Sequence, residues 1–321
     1  MKVQIDGQSA KIAKAGKAAE LCFFAVCIFV SPCKAQAAAP LESYYDSLEL
    51  SSALELKKSL HHLIKNHKKI PYTSSELDTW DVIDLADQDP LDPTKVLTIY
   101  RNTSYPKAAG GNKNYNREHS WPKSYGFPAD GPANYPYTDL HHLFAADQAY
   151  NSSRGNVPYG SCEQSCTEKI SFVANQTPIT GEYPGQSNWR VGSGAGGTWE
   201  VWVGRRGDVA RAMFYMAVRY EGGTHSEAGA LEPDLELTDD VSLVLSSNTG
   251  SNVSAAYMGR LSALIDWHLS DPVDERERRR NNVVAEAQGN RNPFVDRPDL
   301  VCRVFIVGAC ERGTDQFESL D

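Results

Sequence analysis

The longest apolar run in the chain is ten residues, Leu21 to Val30, and it sets the first limit on the fold. A membrane-spanning helix needs about 20 apolar residues, and no later stretch is apolar enough to cross a bilayer. Lys11, Lys14 and Lys17 precede the run, and Ala35-Gln36-Ala37 follows it. A charged start, a short apolar centre and a small-x-small end make the order of a secretory signal; an uncleaved anchor is the rival reading. We expect residues 1–37 to be removed and residues 38–321 to be a soluble exported domain, secreted or periplasmic, without membrane attachment.

Export bears on the cysteines. Removing residues 1–37 takes away Cys22, Cys27 and Cys33 and leaves Cys162, Cys166, Cys302 and Cys310. An even count in an oxidising compartment favours disulfides, most simply Cys162 with Cys166 and Cys302 with Cys310. A zinc site from Cys162, Cys166, His141 and His142 is the alternative, although the cysteine spacing is unusual for zinc. Charge points away from an ordinary nucleic-acid binder. The whole chain carries −9, and the lost segment holds five lysines against two acids, so the remainder is near −12. Any claim of nucleic-acid binding must rest on a local positive groove.

The patterning predicts a mixed, helix-rich α+β domain with no linker dividing it. Ser52-Ala53-Leu54-Glu55 opens a helix whose Ala53, Leu56, Leu60, Leu63 and Ile64 share a face. Trp80, Val82 and Ile83, then Val96 to Tyr100, read as short buried strands or core segments. Residues 101–116 and the glycine-rich 185–198 read as loops, and the acidic 222–252 as a surface excursion. Asp208 is placed as the cap of a helix with Val209, Met213, Met216 and Tyr220 on one stripe. Tyr257 to Leu269 is a further helix. Asp271 and Pro272 start the last one, which Gly289 stops, and Val301 to Val307 is a terminal strand. Trp121 and Trp199 are assigned to the core.

Three stretches carry the chemistry: Asn116-Arg117-Glu118-His119-Ser120-Trp121-Pro122, Asp139-Leu140-His141-His142-Leu143, and Asn151-Ser152-Ser153-Arg154-Gly155-Asn156. Each alone has a bland explanation: a surface pair, a packed histidine, a helix cap. Together they supply the parts for phosphodiester hydrolysis, which needs a base, a divalent metal and a cation near the phosphate. His119, with an ordinary pKa near about 6.5, suits the base. Glu118 suits a metal, and the carbonyl oxygen of Asn151 is a hard ligand. Arg117 and Arg154 are candidates to grip phosphate oxygens.

EHSWP followed by DLHHLFAADQAYNSSRGN resembles the bacterial endonuclease I family of secreted or periplasmic nucleases. PYTSSELDTWDV, GDVARAMFYMAVRY and the closing WHLSDPVDERERRRNNVVAEAQGNRNPFVDRPDL extend the resemblance from about Tyr44 to about Leu300. It implies a helix-rich single domain around a His-Me finger (ββα-metal) core. EHSWP would lie on the first strand or its end, DLHHL on the second, and Asn151 on the helix. By this resemblance His119 is the general base, Glu118 and Asn151 hold the metal, and His141 supports the site or touches phosphate. The arginine that some relatives place between the two strands is missing; residues 120–138 offer only Lys123. Arg276, Arg278, Arg279, Arg280 and Arg291 would line a wall of the DNA groove, helped by Arg205 and Arg206.

The resulting expectation is an exported monomeric endonuclease of DNA, with RNA as a further substrate, little sequence preference and 5′-phosphate products. The metal expected is Mg2+, with Ca2+ or Mn2+ as alternatives. The rival readings are a phosphodiesterase for small nucleotides and a non-catalytic exported binding protein.

Overall fold

The structure is a computed structural model that describes residues 41–306 apart from 109, 111, 133, 174–176 and 227. The expected signal segment and Cys310 lie outside the described residues. The chain divides into two units, Met1–Tyr44 and Tyr45–Asp321. The described part of the first is one helical turn, α1 (Leu41–Tyr44).

In the second unit, Ser52 caps α2 (Ala53–Ile64), its hydroxyl accepting from the Glu55 amide, and Leu56, Leu60 and Ile64 face inward at four-residue spacing. Next comes α3 (Thr79–Ala86), then the antiparallel sheet β1 (Gln88–Asp89), β2 (Asp92–Leu97) and β3 (Ser104–Pro106). β4 (Tyr115–His119) pairs antiparallel with β5 (Leu143–Asp147), which runs directly into α4 (Gln148–Arg154). A second small sheet has β9 (Asn188–Val191) between β6 (Thr167–Lys169) and β10 (Thr198–Glu200), beside the hairpin β7 (Ser171–Val173) and β8 (Thr177–Ile179).

α5 (Arg206–Arg219) follows. β11 (Asp234–Leu237), α6 (Val241–Ser247) and β12 (Ala255–Met258) make a parallel pair with a helix between. α7 (Leu261–Ser270), α8 (Glu275–Gln288), α9 (Pro293–Asp296) and α10 (Asp299–Phe305) complete the described residues. Helices and small sheets are mixed, as α+β requires.

α5 is the axis of the core. Val209, Met213, Met216 and Tyr220 are core as expected, but so is every residue from Gly207 to Arg219: the helix is packed on all sides and has no wet face. Its two buried guanidinium groups are neutralised in place. Arg211 forks onto Glu277 with both bonds at 2.6 Å, and Arg219 onto Glu232 at 2.9 and 2.7 Å. A smaller apolar cluster fills the space between α3, β5 and α8. Trp121 and Trp199 are fully buried, as expected.

Several local expectations fail for identifiable reasons. Trp80, Val82 and Ile83 lie on a helix because Asp78 and Asp81 form a reciprocal capping box at its start. Val301 opens no strand; residues 299–305 are helical, and an apolar run this short has no decisive period. Asp208 sits in the first turn of α5, not at its cap, with its carboxylate bound by Arg276 and Arg205 beside it. Asp271 ends α7, and Asp274 caps α8; Gly289, at φ +87°, stops α8 as expected. Tyr257 belongs to β12, so α7 starts later than predicted. The stretches read as loops contain β3, β9, β10, β11 and α6.

Candidate active site

The β4–β5 ladder sets the site. Its register pairs His119 with Leu143, Glu118 with Phe144, Asn116 with Ala146 and Tyr115 with Asp147. Asp147 ends the strand and caps the next helix, its Oδ1 accepting from the Ala149 and Tyr150 amides at 2.9 and 3.3 Å. α4 therefore turns back across β4 without a loop. Asn151, one turn along, donates through Nδ2 to Asn116 Oδ1 at 2.5 Å and to the Arg117 carbonyl at 3.1 Å. Asn151 is thus brought onto the strand carrying Glu118 and His119. DLHH forms a turn, not strand; only Leu143 of that motif is on β5.

Glu118 is buried. Its Oε1 accepts from the Tyr100 hydroxyl at 2.7 Å and from Arg154 Nη1 at 3.0 Å; Oε2 takes part in neither bond. Burial holds its carboxyl above the usual range, despite the pull of Arg154 and Tyr100. Arg154 also donates to the His119 carbonyl at 3.0 Å and the Ser120 carbonyl at 2.8 Å, with its guanidinium 4.4 Å from the Tyr159 ring centre. It is fully buried. Its expected role of gripping phosphate is therefore corrected: it fixes the end of β4 and aims Glu118.

His119 is at the strand end, and its Nε2 lies 2.8 Å from the Tyr137 carbonyl oxygen. A carbonyl only accepts, so Nε2 carries the hydrogen and Nδ1 bears the lone pair. Burial first, then the neighbouring His142, holds the imidazole well below its usual pKa, so it is neutral. Tyr72 stacks 6.0 Å away, and Tyr137 meets it edge-on at 4.9 Å.

Arg117 shares the His119 face of β4. Its guanidinium lies 3.3 Å from the Tyr72 ring centre and 4.6 Å from that of Trp80. One nitrogen, Nη1, donates to the Tyr72 carbonyl and to Thr79 Oγ1. Lys123 is exposed and donates to the Tyr137 hydroxyl at 3.1 Å. Both cations therefore stand near enough to His119 to press on its charge.

His141 points elsewhere. Its Nε2 meets the Asn290 carbonyl at 3.0 Å, and its ring packs on Tyr215 at 4.5 Å. It ties the DLHH turn to the segment after α8. The histidine beside His119 is His142, 5.4 Å away and hung from the Pro136 carbonyl at 2.7 Å. Both rings hang from one 3-10 turn, Tyr135–Thr138. Sequence reasoning missed His142 and Tyr100. For His142 a signal existed, since extending the ladder by one residue sets Ser120 against it, and that bond forms at 3.0 Å.

The zinc alternative is excluded by the bond between Cys162 and Cys166. Among the described residues no cluster of three or more His, Cys, Asp or Glu could hold a metal ion; a centre built from one carboxylate and one amide oxygen is a different kind. Cys302 is disulfide-bonded, and its expected partner Cys310 lies outside the described residues. The basic wall largely dissolves on inspection. Arg276 binds Asp208, Arg280 binds Asp87 at 2.8 Å, and Arg291 binds Asp296. Arg279 donates to backbone carbonyls of α3 and β1, Arg205 pairs with Asp274, and Arg206 with Glu200. Among the described residues, the Arg278 side chain is exposed and makes no ion pair.

The chain is similar to known nucleases. The chain is 39% identical over 271 residues to an extracellular ribonuclease of Bacillus amyloliquefaciens, covering 83% of this chain and 79% of that one. It is 38% identical over 270 residues to an extracellular ribonuclease of Bacillus subtilis strain 168, covering 83% and 80%. Residues 52–299 match the profile of endonuclease I, and the chain belongs to that nuclease family.

Proposed function

We propose that the chain is an exported endonuclease that hydrolyses phosphodiester bonds of RNA and DNA with little sequence preference, on a ββα-metal core formed by β4, β5 and α4. The observation that carries this reading is the neutral His119, with Nε2 pinned to the Tyr137 carbonyl and Nδ1 left basic, next to a buried carboxylate. The Bacillus relatives are named extracellular ribonucleases, which supports export and puts RNA beside DNA as substrate.

The residues fit a divalent cation. Glu118 keeps Oε2 outside its bonds to Tyr100 and Arg154, and burial leaves its charge poorly compensated. Asn151 spends its amide hydrogens on β4, so its carbonyl oxygen is the part left to ligate. A bound Mg2+, or Ca2+ or Mn2+ in its place, would neutralise charge on the phosphate and the leaving oxygen. His119 Nδ1 takes the proton from the attacking water, while the Tyr137 carbonyl stabilises the imidazolium as it forms. Arg154 keeps Glu118 in register, and Arg117 and Lys123 supply positive charge beside the base.

Supercoiled plasmid and single-stranded RNA, each with and without EDTA, test the reading. Chelator-sensitive cutting of both is expected. Cutting only of a small chromogenic phosphodiester, or nucleic-acid retention without cutting, would overturn it.

A further inference from the structure

An open hollow of about 460 Å³ lies beside the β4–α4 junction, lined by Arg101, Tyr105, Lys113, Asn114, Asp147 and Ser152 among others. It is continuous in the chain with the proposed site. Ser152 follows Asn151, and Asn114 lies two residues before Asn116, which Asn151 binds. At about 3.3 Å per residue, the four residues from Asn114 to Glu118 span about 13 Å of strand. That is about four rises of a stacked nucleic-acid strand at roughly 3.4 Å each.

Arg101 is built into this hollow. Its Nη1 donates to Asp147 Oδ2 at 2.8 Å and to the Tyr105 hydroxyl at 3.1 Å. Its guanidinium lies 5.7 Å from the Tyr150 ring centre and 5.5 Å from that of Phe172. Nε is buried without an acceptor, and Nη2 makes no hydrogen bond, among the described residues. A guanidinium anchored through Nη1, with Nη2 still unspent, is held ready to donate to an incoming oxyanion. Lys113 is exposed and forms no ion pair with the described residues. Asp147 has both oxygens engaged, by the amides of α4 and by Arg101 and Tyr105. Two cations against one anion leave the hollow positive, on a chain whose net charge is −9.

We propose that this hollow is a phosphate subsite that holds the substrate backbone a few nucleotides from the cleaved bond, with Arg101 and Lys113 as its contacts. The inference rests on the nuclease reading above and adds to it residues that set affinity for long chains. The same two cations explain how an acidic protein holds a polyanion when most of its arginines are committed to internal carboxylates.

The test is fluorescence anisotropy with labelled oligothymidylate and Mg2+, on His119→Ala protein so that the probe survives, across a range of NaCl. Adding Lys113→Gln or Arg101→Gln should weaken binding about 3- to 10-fold at low salt. Each should make the slope of log K against log salt shallower by about 0.7, the loss of one single-strand phosphate contact. Lys58→Gln, at an exposed position on α2, should change neither. Lys113→Gln carries little folding risk, because its exposed side chain makes no hydrogen bond or ion pair with the described residues. If the His119→Ala parent binds and both variants match it in affinity and slope, the subsite is refuted and the nuclease reading stands. If the parent does not bind the probe, the nuclease reading fails and takes the subsite with it.

Discussion

His119 Nε2 and the Tyr137 carbonyl oxygen are 2.8 Å apart, and this contact determines which ring nitrogen can act. The tautomer follows from the acceptor, and the acceptor is backbone on a 3-10 turn, which no side-chain substitution can remove. The proposed base is therefore positioned by the fold of residues 135–138, with the Tyr72 and Tyr137 rings packed beside it.

Replacing His119 with Ala should leave a folded protein whose turnover is lower by about 10²–10⁴, the usual share of a general base. Tyr137, Arg154 and Glu118 keep their other contacts, so far-ultraviolet circular dichroism should match the parent. Plasmid nicking by purified His119→Ala protein at near the parent rate would refute the assignment.

Arg154→Met should act differently, through stability first. It leaves Glu118 buried with only the Tyr100 hydroxyl, and it frees the His119 and Ser120 carbonyls. Breaking a buried ion pair from one side costs about 3–5 kcal/mol. The double variant Arg154→Met/Glu118→Gln should recover part of that loss, since the stranded charge is gone. Urea unfolding measures both, and a single-variant loss under about 1 kcal/mol would show that Arg154 is not the partner that holds Glu118.

Much of the site could be read from sequence because its strongest signals are local. EHSWP ends a strand, Asn151 falls one turn into a helix, and Ser52 and Gly289 mark helix ends by their own chemistry. The roles of the arginines could not be read this way. Arg154 and Arg280 look like free cations in sequence, yet their partners Glu118 and Asp87 are 36 and 193 residues away. Burial of charge is decided by tertiary packing, and neither periodicity nor spacing reports it. His141 and His142 illustrate the same limit: adjacent in sequence, they are sent to different neighbours by the turn that carries them.

The Cys162–Cys166 bond closes a short loop whose Cys162 amide is also held by Glu200 Oε2 at 2.7 Å. By chain entropy such a bond contributes about 2 kcal/mol. Mature protein unfolded without reductant should therefore show no thiol from Cys162 or Cys166 on alkylation and mass mapping. Cys162→Ser/Cys166→Ser should lower the unfolding free energy by about 2 kcal/mol while cutting activity persists. Recovery of alkylated Cys162 from unreduced protein would refute the pairing.

Acid should unfold this protein early. Burial lowers His67 to about 3 and His141 and His142 to about 4, with Asp139 opposing the shift in each case. Arg219, His141 and His225 also press on His67. All three rings are neutral in the folded state, whereas in the unfolded chain each takes a proton near about pH 6.5. The unfolded state thus binds more protons between those limits, so stability is full above about 6.5 and falls as pH drops toward 4. At pH 5 each histidine costs about 2 kcal/mol relative to neutral pH, so together they remove about 6 kcal/mol. That is a large share of the roughly 5–15 kcal/mol of a typical domain. Urea midpoints measured from pH 7.5 down to pH 5 should fall steeply. His67→Gln should be less stable at pH 7.5 but show a flatter dependence, because one of the three protons no longer counts. Equal midpoints at pH 7.5 and pH 5 would mean that these histidines are already protonated in the folded protein, contrary to their burial.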